Sequence, residues 1–139
     1  MIKFKPYFNP EPLWQNGVVI VRVVTALLIG FHGLVVFMPE LMIHNARMVE
    51  EAKLPFPFFT AYLGKSIEFL GALALLLGFG TRVFSALLAS VFFVLTFFIH
   101  DGNVLNSETV HPFLYLLLCT MFFVVGPGRV SLDRKIYSN

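Results

Sequence analysis

The sequence predicts an all-α integral membrane protein, a four-helix bundle with a short amphipathic interfacial helix between the first and second spans. Three observations carry that expectation. The 139 residues are 58% hydrophobic and 13% charged, with a mean hydropathy of +0.82, whereas soluble domains run at about 45–50% apolar and about 25% charged. Four apolar runs, 17–38, 58–78, 83–99 and 110–125, approach the roughly 20 residues that a helix needs to cross a bilayer. Turn-forming residues divide them, and the whole of 1–139 reads as a single membrane domain.

The N-terminal residues contain Lys3 and Lys5 but also Pro6, Pro10 and Pro12, and they lack the apolar core and cleavage site of a signal peptide. Phe4, Tyr7, Phe8 and Trp14 read as interfacial anchors of a retained terminus. Pro39 closes the first span. In the segment 40–53, Leu41, Met42, Ala46, Met48, Val49 and Ala52 recur at helical spacing, while Glu40, Asn45, Arg47, Glu50, Glu51 and Lys53 take the other side. That pattern predicts an amphipathic helix on the membrane surface. Leu54-Pro55-Phe56-Pro57 then redirects the chain into the second span.

Gly78-Phe79-Gly80-Thr81 makes a tight connection, so the second and third spans should pack as antiparallel neighbours. The third and fourth runs hold 17 and 16 residues and need a turn from their flanks. Thr109 reads as the cap of the fourth helix, with Pro112 in its first turn. Gly126-Pro127-Gly128 ends that helix, and Ser131 or Asp133 can start a short one in the tail.

A net charge of +2 without a basic block argues against nucleic acid as a partner. Cys119 is the only cysteine, so no internal disulfide can form and thiol–quinone exchange has no second thiol. Lys3, Lys5, Arg22, Arg82, Arg129, Arg134 and Lys135 fall on one side of the predicted spans, and only Arg47 and Lys53 on the other. Positive residues favour the cytoplasmic side, which predicts that both termini are cytoplasmic. His32, His44, His100, His111 and Lys65 then lie toward the outer side.

Glu68 is the residue that most needs explaining. At about 1.5 Å per residue it stands roughly 15 Å from either end of its span, near the membrane midplane. An ionisable group there costs several kcal/mol unless paired, and it marks a candidate functional site. Lys65, three residues earlier, can reach it along the helix. The pair reads as an internal ion pair that makes a polar patch survivable, as a binding and proton-transfer site for a polar head group, or as a helix–helix hydrogen bond to a partner within the bundle. Gly64, Gly71 and Gly78 share the angular position of Glu68 and, with Gly30 and Gly33 of the first span, form candidate helix-packing faces.

His32, between Gly30 and Gly33, reads either as a packing histidine bonded to a carbonyl or as a companion of Glu68 in holding a quinone carbonyl or passing a proton. His32, His100 and His111 with a carboxylate are a candidate metal-ligand set, although they lie on different segments without any recognised metal spacing. Arg22 and Arg82 read as snorkelling to phosphate head groups, with capping contacts or an anion site as the alternative for Arg82.

These landmarks resemble the DoxX family of small four-helix bacterial membrane proteins. The resemblance rests on Arg22 with Gly30 and Gly33; Leu54-Pro55-x-Pro57; Glu68 followed by Gly71 and a leucine-rich stretch into Gly78; Thr81-Arg82; and Gly126-Pro127-Gly128-Arg129 with Ser131-Leu132-Asp133. It spans roughly residues 17–135. Val35 and Val36 stand where many members carry a lysine or arginine, and Lys65 is a candidate local replacement. The resemblance implies the bacterial inner membrane and a link to quinol oxidation, thiosulfate:quinone oxidoreduction or thiol metabolism.

The expectation is an accessory subunit of a respiratory or other redox membrane complex. Its polar site at Glu68, Lys65, His32 and Arg82 would hold a quinone or lipid head group. Lipids and other membrane subunits, or further copies of the chain, are the expected partners. The alternative is a structural or assembly subunit without ligand. No flavin, haem, metal or thiol motif supports an enzyme acting alone, so electrons would come from a partner; quinone is the only cofactor suggested. No inverted repeat points to a transporter.

Overall fold

Proline and glycine punctuate the helices where the sequence places them. The computed structural model describes residues 10–128 and 130–137. Helix α1 (Pro10–Gly33) tightens into a 3-10 turn at Leu34–Phe37, and α2 follows at Pro39–Glu51. Helix α3 covers Pro57–Leu77; α4 covers Thr81–Val94 and runs on through a π turn at Leu95–Ile99. Helix α5 spans Ser107–Val125 and α6 Leu132–Tyr137. Of the expected anchors, Phe4, Tyr7, Phe8 and the Trp14 side chain lie outside the described residues, as do Lys3, Lys5, Arg129 and the Arg134 side chain of the charge asymmetry.

Four stretches are long and apolar enough to cross a membrane: Asn16–Phe37, Pro57–Leu77, Thr81–Ile99 and Ser107–Val125, of 22, 21, 19 and 19 residues. The last two have gained residues from their flanks, as their short apolar runs require. Pro39 and Pro57 sit in the first turns of α2 and α3, where a missing N–H costs nothing. Gly78 stops α3 in the left-handed region at φ +71°. There the Phe79 N–H reaches back to the Ala74 carbonyl at 2.9 Å, a Schellman closure.

The start of α5 differs from expectation. The helix begins at Ser107, so Thr109 is inside it rather than capping it, and Pro112 lies beyond the first turn. The Thr109 hydroxyl is buried and faces the His100 carbonyl at 3.3 Å, tying α5 to the end of the π turn.

Helix α3 is the hub. It packs against α1, α2 and α4, while α4 pairs with α5. The antiparallel α3–α4 neighbours follow from their tight connection. The main core joins Ala26 and Ile29 of α1, Ala72 and Leu75 of α3, Leu88 and Phe92 of α4, and Tyr115, Cys119 and Phe122 of α5. Phe31, Ile20, Val83 and Val124 are at least 64% exposed on the outside. Hydrocarbon, not water, is the solvent such a surface suits.

Helix α2 forms as predicted, but its apolar stripe is not spent on lipid. Met42, Ala46 and Val49 are buried with Ala61 of α3, and Val35, Leu54 and Ile99 pack around them. The helix therefore roofs one end of the bundle.

The opposite end is stitched by the tail. Arg22 is only 2% exposed, so it does not snorkel; its guanidinium donates to the Pro127 carbonyl and, at 2.8 Å, to the Val130 carbonyl. The Asp133 N–H in turn donates to the Gly78 carbonyl at 3.0 Å.

Candidate functional site

Glu68 lies midway along α3 and is 1% exposed. Its burial follows from the face it occupies. Gly71, one turn on, lets the Leu88 side chain of α4 come within 2.8 Å of where a Cβ would stand, so that side chain packs directly onto the α3 backbone beside Glu68. Lys65 Nζ donates to Glu68 Oε2 at 2.9 Å, and the pair is nearly sealed, with side chains 16% and 2% exposed.

The pair borders a cavity of about 250 Å³. Helix α2 contributes Asn45, Met48 and Val49, α3 contributes Ala61, Gly64, Lys65 and Glu68, and α4 contributes Ser90, Val91 and Val94. Leu95 and Ile99 of the π turn also line the cavity. A π turn displaces side chains from α-helical positions and is frequent at functional sites; here the His100 N–H bonds the Leu95 carbonyl at 3.0 Å. Apart from Asn45, Lys65, Glu68, Ser90 and Thr60, whose hydroxyl donates to the Pro55 carbonyl at 2.7 Å, the lining is apolar. The Ser90 hydroxyl is already used on the Ala86 carbonyl, at 2.9 Å.

The candidates named from sequence separate into groups. Lys65 and Glu68 come together at the cavity. His32 is exposed, outside the cavity lining, with its ring edge-on to Tyr115 at 5.8 Å. It is within electrostatic range of Lys65 and His111, and Tyr115 is within range of Glu68. Arg82 stands away from this cavity, in the groove at the tail end with Thr81, Pro127 and Asp133. His100 and His111 lie at the start of the 101–106 loop and on α5, and His111 Nδ1 is 3.3 Å from the Ser107 carbonyl. Among the described residues no three His, Cys, Asp or Glu side chains come together to hold a metal, so His32, His100 and His111 do not form a shared site.

The glycines also divide. A Cβ on Gly33 would stand 2.7 Å from the Phe69 backbone, so α1 lies against the α3 backbone there with no room for a side chain. Gly30 meets only the Ala72 Cβ at 3.6 Å, an ordinary contact. Gly64 has nothing nearer than Val91 Cγ1 at 3.9 Å, so it widens the cavity and does not seat a helix.

Sequence reasoning missed one residue, Tyr115, and the contact made by another, Asp133. Tyr115 carries the one polar ring in the run Leu114–Leu118, and that singularity was its available signal. Asp133 accepts the Gly80 N–H at 2.7 Å and the Thr81 N–H at 2.9 Å, capping α4 from the far end of the chain. No local pattern announces that contact.

Four membrane-crossing helices around a mid-span ion pair define a small multi-pass membrane protein with a polar site in an apolar wall. The DoxX family profile matches residues 17–101, more than half of the chain, and the protein belongs to the DoxX family. The matched region includes Arg22, Glu68 and Arg82 but ends before α5 and the tail. No curated protein and no solved structure matches the chain.

Proposed function

We propose that the protein is a non-catalytic or weakly catalytic accessory subunit in a respiratory or other redox complex of the bacterial inner membrane. Both termini are cytoplasmic in this reading, supported by the concentration of Lys and Arg at the tail end of the spans. The cavity beside Lys65 and Glu68 holds a quinone or lipid head group, and further membrane subunits or copies of the chain surround the bundle.

One observation carries the reading: a nearly sealed ion pair near mid-span borders an apolar cavity that runs from it toward the α2 end of the bundle. Such a pair is poor value for stability alone, because desolvating two charges offsets most of their attraction. A ligand head group with hydrogen-bonding oxygens gives the pair a use. The residues suit a quinone: Lys65 has N–H donors for a carbonyl oxygen, and aliphatic side chains suit the ring and its chain. His32 and Arg82 are outside this cavity, so the proposed site centres on Lys65 and Glu68.

The test is gentle detergent purification from native membranes, with mass spectrometry of co-purifying proteins and small molecules. Co-purification of an electron-transfer complex, with quinone or lipid retained by the wild type and lost in Glu68→Gln, is the expected result. An intact, active complex without bound ligand and indifferent to Glu68→Gln would favour the structural or assembly role instead.

A further inference from the structure

Resting on the reading that this cavity binds a ligand, we infer that the ligand is a neutral amphiphile with a hydroxyl-bearing head and a single ring or chain, entering sideways from the bilayer. An anionic phospholipid is the wrong occupant. Four features of the site argue this together.

The first is charge. Lys65 and Glu68 neutralise each other at 2.9 Å. A phosphodiester placed beside them would meet one positive group already engaged and one carboxylate that repels it. The second is depth. Glu68 is midway along the 21-residue α3, whereas phospholipid phosphates sit at the surface, about 15 Å from the midplane. A neutral head can reach that depth without carrying a charge into hydrocarbon.

The third is hydrogen-bond capacity. Glu68 uses Oε2 on Lys65, and its Oε1 has no protein partner among the described residues. A carboxylate oxygen only accepts, so it calls for a donor, which a hydroxyl supplies and a carbonyl does not. Lys65 Nζ has three N–H groups and spends one on Glu68, leaving donors for the ligand's oxygen.

The fourth is shape. From Thr60 to Glu68 the cavity follows α3 for about 12 Å. Its volume of about 250 Å³ suits one ring or one chain segment, not two acyl chains. Leu63 and Leu87 line it yet are 49% and 42% exposed, which places an opening between α3 and α4 on the lipid-facing side. A quinol and a monoacylglycerol share the required chemistry.

Full-length protein in detergent is titrated with decylubiquinol, decylubiquinone, glycerol monolaurate and dioleoylphosphatidylglycerol, with bound ligand read by native mass spectrometry. The wild type should bind a neutral hydroxyl probe saturably at one per chain, and decylubiquinol about tenfold more tightly than decylubiquinone, the worth of one hydrogen bond to a charged group. The tighter of decylubiquinol and glycerol monolaurate names the source of the head group. Glu68→Gln should remove the quinol preference. Gly64→Leu keeps the ion pair and fills open space beside Val91, and it should abolish binding.

Tighter binding of phosphatidylglycerol than of the neutral probes overturns this inference and leaves a ligand site standing. Equal affinity for quinol and quinone, or neutral binding untouched by Gly64→Leu, also overturns it. No saturable binding of any probe overturns it together with the proposed ligand site.

Discussion

Asp133 caps Thr81: its Oδ2 accepts the Thr81 N–H at 2.9 Å across 52 positions of sequence, while Oδ1 takes the N–H of Gly80. The carboxylate fills the role of an N-cap from a different element. It also sits at the positive end of the α4 dipole. The last short helix is thereby fastened to the turn between the second and third spans.

Asp133→Ala should therefore cost about 0.5–2 kcal/mol, the worth of an N-cap. Asp133→Asn, which keeps one acceptor oxygen, should lose less. Thermal unfolding in a fixed detergent checks both, and a neutral Asp133→Ala would show that the cap is satisfied from elsewhere.

Arg22 bridges two carbonyls of the tail, those of Pro127 and Val130. A lysine ammonium is a point donor and cannot span them as a planar fork does. Arg22→Lys should cost about 1.5–3 kcal/mol, the range for a hydrogen bond to a charged group. Limited proteolysis should then cleave the chain faster near residues 126–131, and an unchanged cleavage rate would refute the stitching role.

Gly30 and Gly33 look alike in sequence and should behave differently. Gly33→Ala drives a methyl into the Phe69 backbone, which cannot rotate away, and overpacking of this kind costs about 1–3 kcal/mol. Gly30→Ala meets only a methyl group at an ordinary distance and should be close to neutral. Comparing unfolding midpoints of the two variants decides the matter; equal losses would mean that α1 and α3 cross elsewhere.

Lys65→Met strands the Glu68 carboxylate in an apolar wall, and breaking a buried pair this way costs about 3–5 kcal/mol. The double variant Lys65→Met/Glu68→Gln should recover most of that loss, because no unpaired charge remains. A double-mutant cycle on thermal stability measures the coupling, and additive losses would contradict a direct ion pair.

Much of the architecture is legible in the sequence for a simple reason. A bilayer demands about 20 apolar residues per crossing and satisfied backbone groups, and both are local properties of the chain. Pro39, Pro57 and Gly78 mark helix boundaries because missing N–H groups and positive φ are local too. The i, i+3 meeting of Lys65 and Glu68 follows from helix geometry alone.

Tertiary structure decided the rest, because a uniformly apolar chain carries little periodic signal to say which way each helix turns. Only the packing shows that Gly33 meets the α3 backbone while Gly30 meets only a methyl group of the same helix, and that Gly64 opens a cavity. Arg22 and Arg82 read alike as basic residues near span ends, yet one is buried under tail carbonyls and the other remains exposed. Asp133 and Thr81 could be joined by no local rule, since their contact exists only once α4, α5 and the tail have come together. What the sequence determined was composition, length and neighbour spacing; what folding decided was which of the few polar groups, placed far apart along the chain, would face one another in a medium that offers them no water.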